Sequence, residues 1–212
     1  MLRAANHNPF GGTTSTTGLL SSDAAYSSGS VVANPDYFVT LLHRALMSRR
    51  VLRVTLAGAP AGGSGGGRVR GYAHCTARAE GSAAAPSITA LVLNLHSSEP
   101  ADVALSFSPG AQDRRGRPGG SGENENENEN EDENEEGAWS VYLLTAANSS
   151  APLSSRAMLL NGAPLAIDAD SGAPPDLRAL AEAAEPGAPI TLPPYSAAFV
   201  VAPVPEAAAL CS

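Results

Sequence analysis

The side chains in this sequence that could do chemistry are its carboxylates, its four histidines and its two cysteines. Two carboxyl groups that share a reaction as acid and nucleophile must be held about 5–5.5 Å apart, so they need the rigid ends of strands or helices beneath them. Nine of the 21 acidic residues instead fall in one alternating run, ENENENENEDENEE, at 123–136. A block of like charges does not pack and cannot hold two groups in register. Of the others, Asp36 stands at the start of a helix pattern and most lie in turns rich in Pro, Gly and Ser. No Asn-Glu pair closes a strand pattern outside the run. His7, His43, His74 and His96 are scattered and suggest no nucleophile–base–acid set. The cysteines form no CxxC motif and have no histidine pair nearby. No catalytic residue, metal site or cofactor is therefore expected in this chain.

Cys75 falls in a strand pattern, and Cys211 is next to the last residue. Two readings stay open. A disulfide between them would restrict the unfolded chain by roughly 5 kcal/mol on the loop-entropy account and tie down a tail that otherwise frays. Alternatively, they are two unrelated buried thiols. Asn148-Ser149-Ser150 is a sequon for N-glycosylation in a loop pattern, which points to a secretory route.

The elements that would position these groups begin with NPDYFVTLLHRALMS, a helix expected at 34–48. Asn34 suits the N-cap, Pro35 the first helical position, and Asp36 the positive end of the dipole. Phe38, Leu41, Leu42, Ala45 and Leu46 recur at three- and four-residue spacing and make one apolar stripe. On the residues alone, that stripe covers one face of the sheet that follows.

The remainder reads as about eight strands separated by turns, which suggests an antiparallel sandwich, with a barrel as the alternative. VLRVTLA at 51–57 alternates, and RVRGYAHCT at 68–76 puts Val69, Gly71, Ala73 and Cys75 on one face. ITALVLNLH at 88–96 is apolar on both faces, and DVALSF, WSVYLLT and RAMLLNGAPLAI follow. Asn161-Gly162 suits a tight hairpin turn, because both residues tolerate positive φ. The prolines of ITLPPYSAAFVVAP demote its start to a strand edge, before a buried strand at 195–201. Trp139, Tyr142 and Tyr195 are expected to face the core. A surface insertion without regular structure is expected at about 108–138, around the acidic run, and GGSGGG at 62–67 is a shorter flexible loop.

The formal charge of −8 comes from the run: outside it, 12 acids face 13 bases, all of them arginine. A nucleic-acid partner would call for a basic face with interleaved aromatics, and none is expected. There is no run of about 18 apolar residues, so no transmembrane segment is expected. MLRAANHNPF lacks the apolar centre of a signal peptide.

In order along the chain, NPDYF with its following leucines, then GYAHCT, ALVLNLHSS, LNGAPL, LPPYSAAFVV and the final LCS, resemble the C-terminal end of heparanase and heparanase-like endo-β-glucuronidases. The resemblance spans nearly the whole chain apart from the first residues and the acidic run. It implies a (β/α)8 barrel followed by a β-sandwich, with residues 1–50 as the remnant of the last barrel unit and 51–212 as the sandwich. The stripe of the helix would then face a barrel outside this chain and be left exposed, a surface that invites association. It implies a disulfide between Cys75 and Cys211. It places both catalytic carboxylates upstream of these residues, so the chain alone would be an inactive fragment whose glycan substrate is met only through a partner barrel domain. FGGTTSTTGLL at 10–20 resembles the family's Gly-Gly-Asn-Tyr-Gly-Leu-Leu loop beside the sugar site. TTSTT replaces the Asn-Tyr pair, so only Gly12 carries over as a substrate contact. An extracellular or lysosomal location is implied. The alternative is a secreted carbohydrate-binding or structural β-sandwich module.

Overall fold

The computed structural model describes residues 20–21, 32–57, 68–78, 85–107 and 137–211. Gly12, the glycine-rich loop at 62–67 and the acidic run lie outside the described residues. The short strands β1 (Leu20–Ser21) and β2 (Val32–Ala33) pair with each other and lead into helix α1 (Pro35–Leu46). Strand β3 (Met47–Leu52) follows without a break; then come β4 (Val69–Thr76), β5 (Ile88–Asn94), β6 (Ala101–Val103) and β7 (Trp139–Ala146). The hairpin strands β8 (Met158–Leu160) and β9 (Ala163–Pro164) are next, then β10 (Glu182–Ala184), β11 (Ile190–Leu192), β12 (Ser196–Ala202) and helix α2 (Glu206–Leu210).

The protein is mainly β. An antiparallel eight-stranded sheet runs in the order β3-β4-β5-β12-β7-β8-β9, with β10 also paired to β7, and β6 and β11 form a separate two-stranded sheet. The patterns at β4, β5, β7, the β8–β9 hairpin and β12 fall where the sequence puts them. Asn161 and Gly162 adopt φ of 49° and 79°, the left-handed turn that their residue types suit. Residues 53–57 are not in a strand. Instead, the strand expected at 51–57 begins four residues earlier, because Met47 already pairs with Thr76 and this pairing overrides the helical pattern of the segment. Asn34 has the extended backbone of an N-cap, but its side chain makes no capping hydrogen bond; its carbonyl accepts from Tyr37 N at 3.0 Å.

Pairing register assigns the two faces of the sheet. Leu91, Tyr142, Leu144 and Phe199 point to the front, where Phe38, Leu42 and Leu46 of α1 pack among them. These three helix residues are 1%, 0% and 3% exposed, and Leu41 and Ala45 are half-buried against the same cluster. This corrects the expectation of an exposed stripe: Phe38, Leu42 and Leu46 find their apolar partners on the chain's own sheet.

Ala73, Val92, Val141, Ala198 and Val200 point to the back, under two clusters. One joins Val92 and Ala198 to Leu192 of β11. The other joins Trp139 and Val200 to Val204 and to Ala207 of α2. Gly71 fits closely on this face: a Cβ there would lie 3.2 Å from the side chains of Val54 and Leu56, which would have to shift by a few tenths of an ångström. Trp139 and Tyr142 are buried as expected, whereas Tyr195 is half-buried at a turn with φ of 51°.

Candidate functional site

The acidic residues of the described regions are mostly engaged in local structure. Asp36 sits in the first turn of α1. Asp102 accepts from the Thr191 hydroxyl across the β6–β11 pair. Asp176 accepts from Arg178 N at 3.1 Å and caps a short 3-10 turn. Asp168 accepts from both the hydroxyl and the backbone N–H of Ser171 at 2.7 Å. These bonds favour its charged form and hold the carboxyl below its ordinary range, the opposite of what a general acid needs. Glu99 pairs with His96 Nε2 at 3.1 Å. His96 Nδ1 accepts from Glu99 N, so the ring proton is on Nε2, facing the carboxylate.

A groove of about 760 Å³ opens between the first turn of α1 and the β7–β8 connection. Leu93, Leu144, Met158, Leu153 and Tyr195 line it, and Asp36 is the acidic residue that reaches it. One carboxylate in a largely apolar groove does not make the acid–nucleophile pair of a glycosidase. Among the described residues, no group of three or more His, Cys, Asp or Glu could hold a metal ion, and no helix is long and apolar enough to cross a membrane.

Buried amides and hydroxyls do the positioning. Asn94 is 1% exposed. Its Nδ2 faces the carbonyls of Glu99, Leu192 and Pro193 at 2.9–3.1 Å, and its Oδ1 accepts from His96 N at 2.9 Å. It therefore fastens the end of β5 to the β11–β12 connection. Asn161 does the same on β7: Oδ1 accepts from Leu143 N at 2.7 Å, and Nδ2 donates to the carbonyls of Val141 and Leu180 at 2.8 Å. Along one side of β7, β10 pairs with 139–141 and β8 with 144–146. Asn161 serves the backbone groups between them, which burial would otherwise penalise. Thr89 donates to Leu46 O, and Arg178 Nη2 donates to Ala45 O at 2.8 Å; together they satisfy carbonyls at the C-terminal end of α1. The sequence marks Asn161 only as a turn residue and gives no sign of the side-chain role of Asn94.

His74 Nδ1 donates to Ser48 O at 2.7 Å, and its ring meets His43 edge-on at 5.9 Å. Partial burial, and then the charge of His74, lower the pKa of His43. Burial raises that of Tyr142, against the opposing pull of the nearby Arg178. Cys75 of β4 and Cys211 after α2 form a disulfide. This settles the two readings of the cysteines in favour of a bond. Asn148 is exposed in the turn after β7, where Oδ1 accepts from Ser150 N at 3.2 Å. Of the residues singled out in the sequence, then, Cys75 and Cys211 come together, Asn148 stands alone on a loop, and Gly12 lies outside the described residues.

No family model matches the chain. It is similar to a heparanase-like protein. The relative is heparanase-like protein 3 of Arabidopsis thaliana, 31% identical over 172 residues, which take in 79% of this chain and 28% of that protein. The similarity supports a heparanase-like relationship, and the chain spans less than a third of the length of the relative it matches.

Proposed function

We propose that this chain is the C-terminal part of a heparanase-like glycoside hydrolase: a β-sandwich that supports a (β/α)8 barrel and does not itself cleave glycans. The parent enzyme would hydrolyse β-glucuronosyl O-glycosidic bonds by the retaining mechanism, with both carboxylates on the barrel. The observation that carries this reading is the coincidence of the sequence similarity with the Cys75–Cys211 bond, the one the family resemblance implies. The local engagement of the described acids supports it from the other side. Sheets of eight and two strands stacked through Val92, Ala198 and Leu192 fit the sandwich. A disulfide across the domain fits an oxidising, extracellular or lysosomal setting, and the exposure of Asn148 fits a glycosylated loop. The residues before β3 are the end of the barrel in this reading, a boundary at 46 and not at 50 because Met47 already pairs in the sheet, with Gly12 beside the sugar and the opposite flank of α1 resting on the barrel.

The test is a turnover assay of the purified chain on an aryl β-glucuronide. No turnover is expected from the chain alone, and turnover that tracks the pure protein overturns the reading. A second reading, a stand-alone carbohydrate-binding or structural module, draws on one observation: α1 buries its stripe on the chain's own sheet. Retention on a glycan column that is lost on reduction of the disulfide favours it.

A further inference from the structure

Charge is divided sharply along this sequence. Between Tyr37 and Ala79 there are seven arginines and no acidic residue. All seven are exposed. Arg44 lies in the last turn of α1, Arg49 and Arg53 lie on β3 and just beyond it, Arg68 immediately precedes β4 and Arg70 lies on it. Among the described residues, strand β3 is the terminal strand of the eight-stranded sheet, and these arginines lie on or beside it and the neighbouring β4. Tyr72 and Val51, 45% and 69% exposed, stand among these arginines.

The opposite charge is the acidic run at 123–136. Its connection leaves the described structure after Phe107 and returns at Gly137. These ends are close together, because the Phe107 ring packs edge-on against Trp139 at 5.5 Å. From β7 to β3 is four strand spacings, about 19 Å, and the register sets Arg70 level with Leu144, five residues or about 17 Å along the strands from Trp139. Sixteen extended residues cover about 53 Å, and the run begins 16 residues after Phe107, so reach does not limit the contact. Spacing also agrees. The Glu-Asn alternation repeats every two residues from Glu123 to Glu131, and Arg68 and Arg70 at the start of β4 stand at the same two-residue interval, about 6.7 Å in extended backbone.

The geometry points to the β3–β4 edge as a docking surface for the chain's own acidic run, residues 123–136. In this proposal the carboxylates of the run meet Arg49, Arg68 and Arg70. Tethering gives the run an effective concentration on the order of millimolar at the surface, which outcompetes a free polyanion of the same composition. The contact is between exposed charges, so it weakens as salt shortens the screening length to about 10 Å at 0.1 M.

The experiment compares the full chain with a full-length variant in which the eight glutamates of the run become glutamine and Asp132 becomes Asn. The probe is a fluorescent peptide with the sequence of residues 123–136, titrated at low and high salt. At low salt the amidated chain is expected to bind the peptide at least about tenfold more tightly than the native chain, and the gap should close at high salt. Adding R49Q and R70Q to the amidated chain should remove most of that binding. Equal affinity in the two chains overturns the proposal, as does no binding to either. Light scattering that shows low-salt dimers of the native chain, absent in the amidated one, also overturns it, because the run then engages a second copy. Thermal melts of all variants, expected to be unchanged and cooperative, tie the readout to folded protein.

Discussion

The front and back of the eight-stranded sheet are closed by different means. In front, one helix of 12 residues lays Phe38, Leu42 and Leu46 across Leu91, Tyr142 and Phe199, and the chain then passes directly from Leu46 into β3. Little loop-closure entropy is spent, because the helix is joined to the sheet it covers. At the back, the cover arrives from far along the chain. Strands β6 and β11 pair across 87 to 91 positions of sequence, and α2 is held at the end by a disulfide of sequence separation 136. The front therefore depends on side-chain packing, and the back on long-range ties.

The largest expected effect comes from cutting the longest tie. Replacing both cysteines, C75S with C211S, should lower stability by up to roughly 5 kcal/mol, the loop-entropy value for so distant a bridge. Urea unfolding measures the loss. Trp139 is the only tryptophan and lies in the back cluster with Val204 and Ala207. Its fluorescence should change at lower urea than the far-ultraviolet circular dichroism, because α2 is released first. Coincident transitions with a loss under about 1 kcal/mol would mean that packing of Ala207 and Leu210 already secures the tail.

A cut at the front is expected to cost somewhat less. Leu42 is fully buried, so Leu42→Ala removes apolar contact and leaves a cavity, worth about 3–4 kcal/mol in comparable cores. Here the two probes should shift together, since no tether is lost and the sheet is shared. A loss below about 1 kcal/mol would mean that the helix can leave the sheet without unfolding it.

The same contrast explains what could be read from the sequence. The front was legible because it is local: the spacing of Phe38, Leu42 and Leu46 gives the helix, and the burial patterns of β4, β5, β7 and β12 follow from runs such as ITALVLN and SAAFVVA. The hairpin was legible in Asn161-Gly162 because its conformation is set by two adjacent residues. The back was not. Glu182–Ala184 has no strand character of its own and becomes β10 by pairing with Trp139, Ser140 and Val141. The pairing of Ile190–Leu192 with Ala101–Val103 in a separate sheet depends on where two distant segments meet. The start of β3 was hidden because MSRR reads as the basic end of a helix until Thr76 supplies its partner. At the candidate site, the turn roles of the acids are visible in their Pro, Gly and Ser neighbours. Asn94, by contrast, fastens to Leu192, 98 positions away, which no local pattern announces.

The smallest effect sharpens the comparison at the seam between α1 and β4. His43 on the helix faces His74 on the strand, and folding lowers the pKa of His43, first by partial burial and then by repulsion from His74. A base held below its unfolded pKa binds fewer protons folded than unfolded, so stability rises with pH through that window. Relative to neutral pH, the folded state is unpenalised above about pH 6.5, the ordinary histidine value. It loses stability as the pH falls below that value, until His43 is protonated in the folded state as well. Arg44 beside it and Arg178 bound to Ala45 O add positive charge to the same end of the helix. His43→Gln removes the titrating group and should flatten the decline of melting temperature between about pH 6.5 and 5, while matching the native chain above pH 7. All other groups are the same in the two chains, so the difference between the two curves isolates His43 and its coupling to His74. Parallel curves down to pH 5 would show that the seam does not feel the protonation of His43.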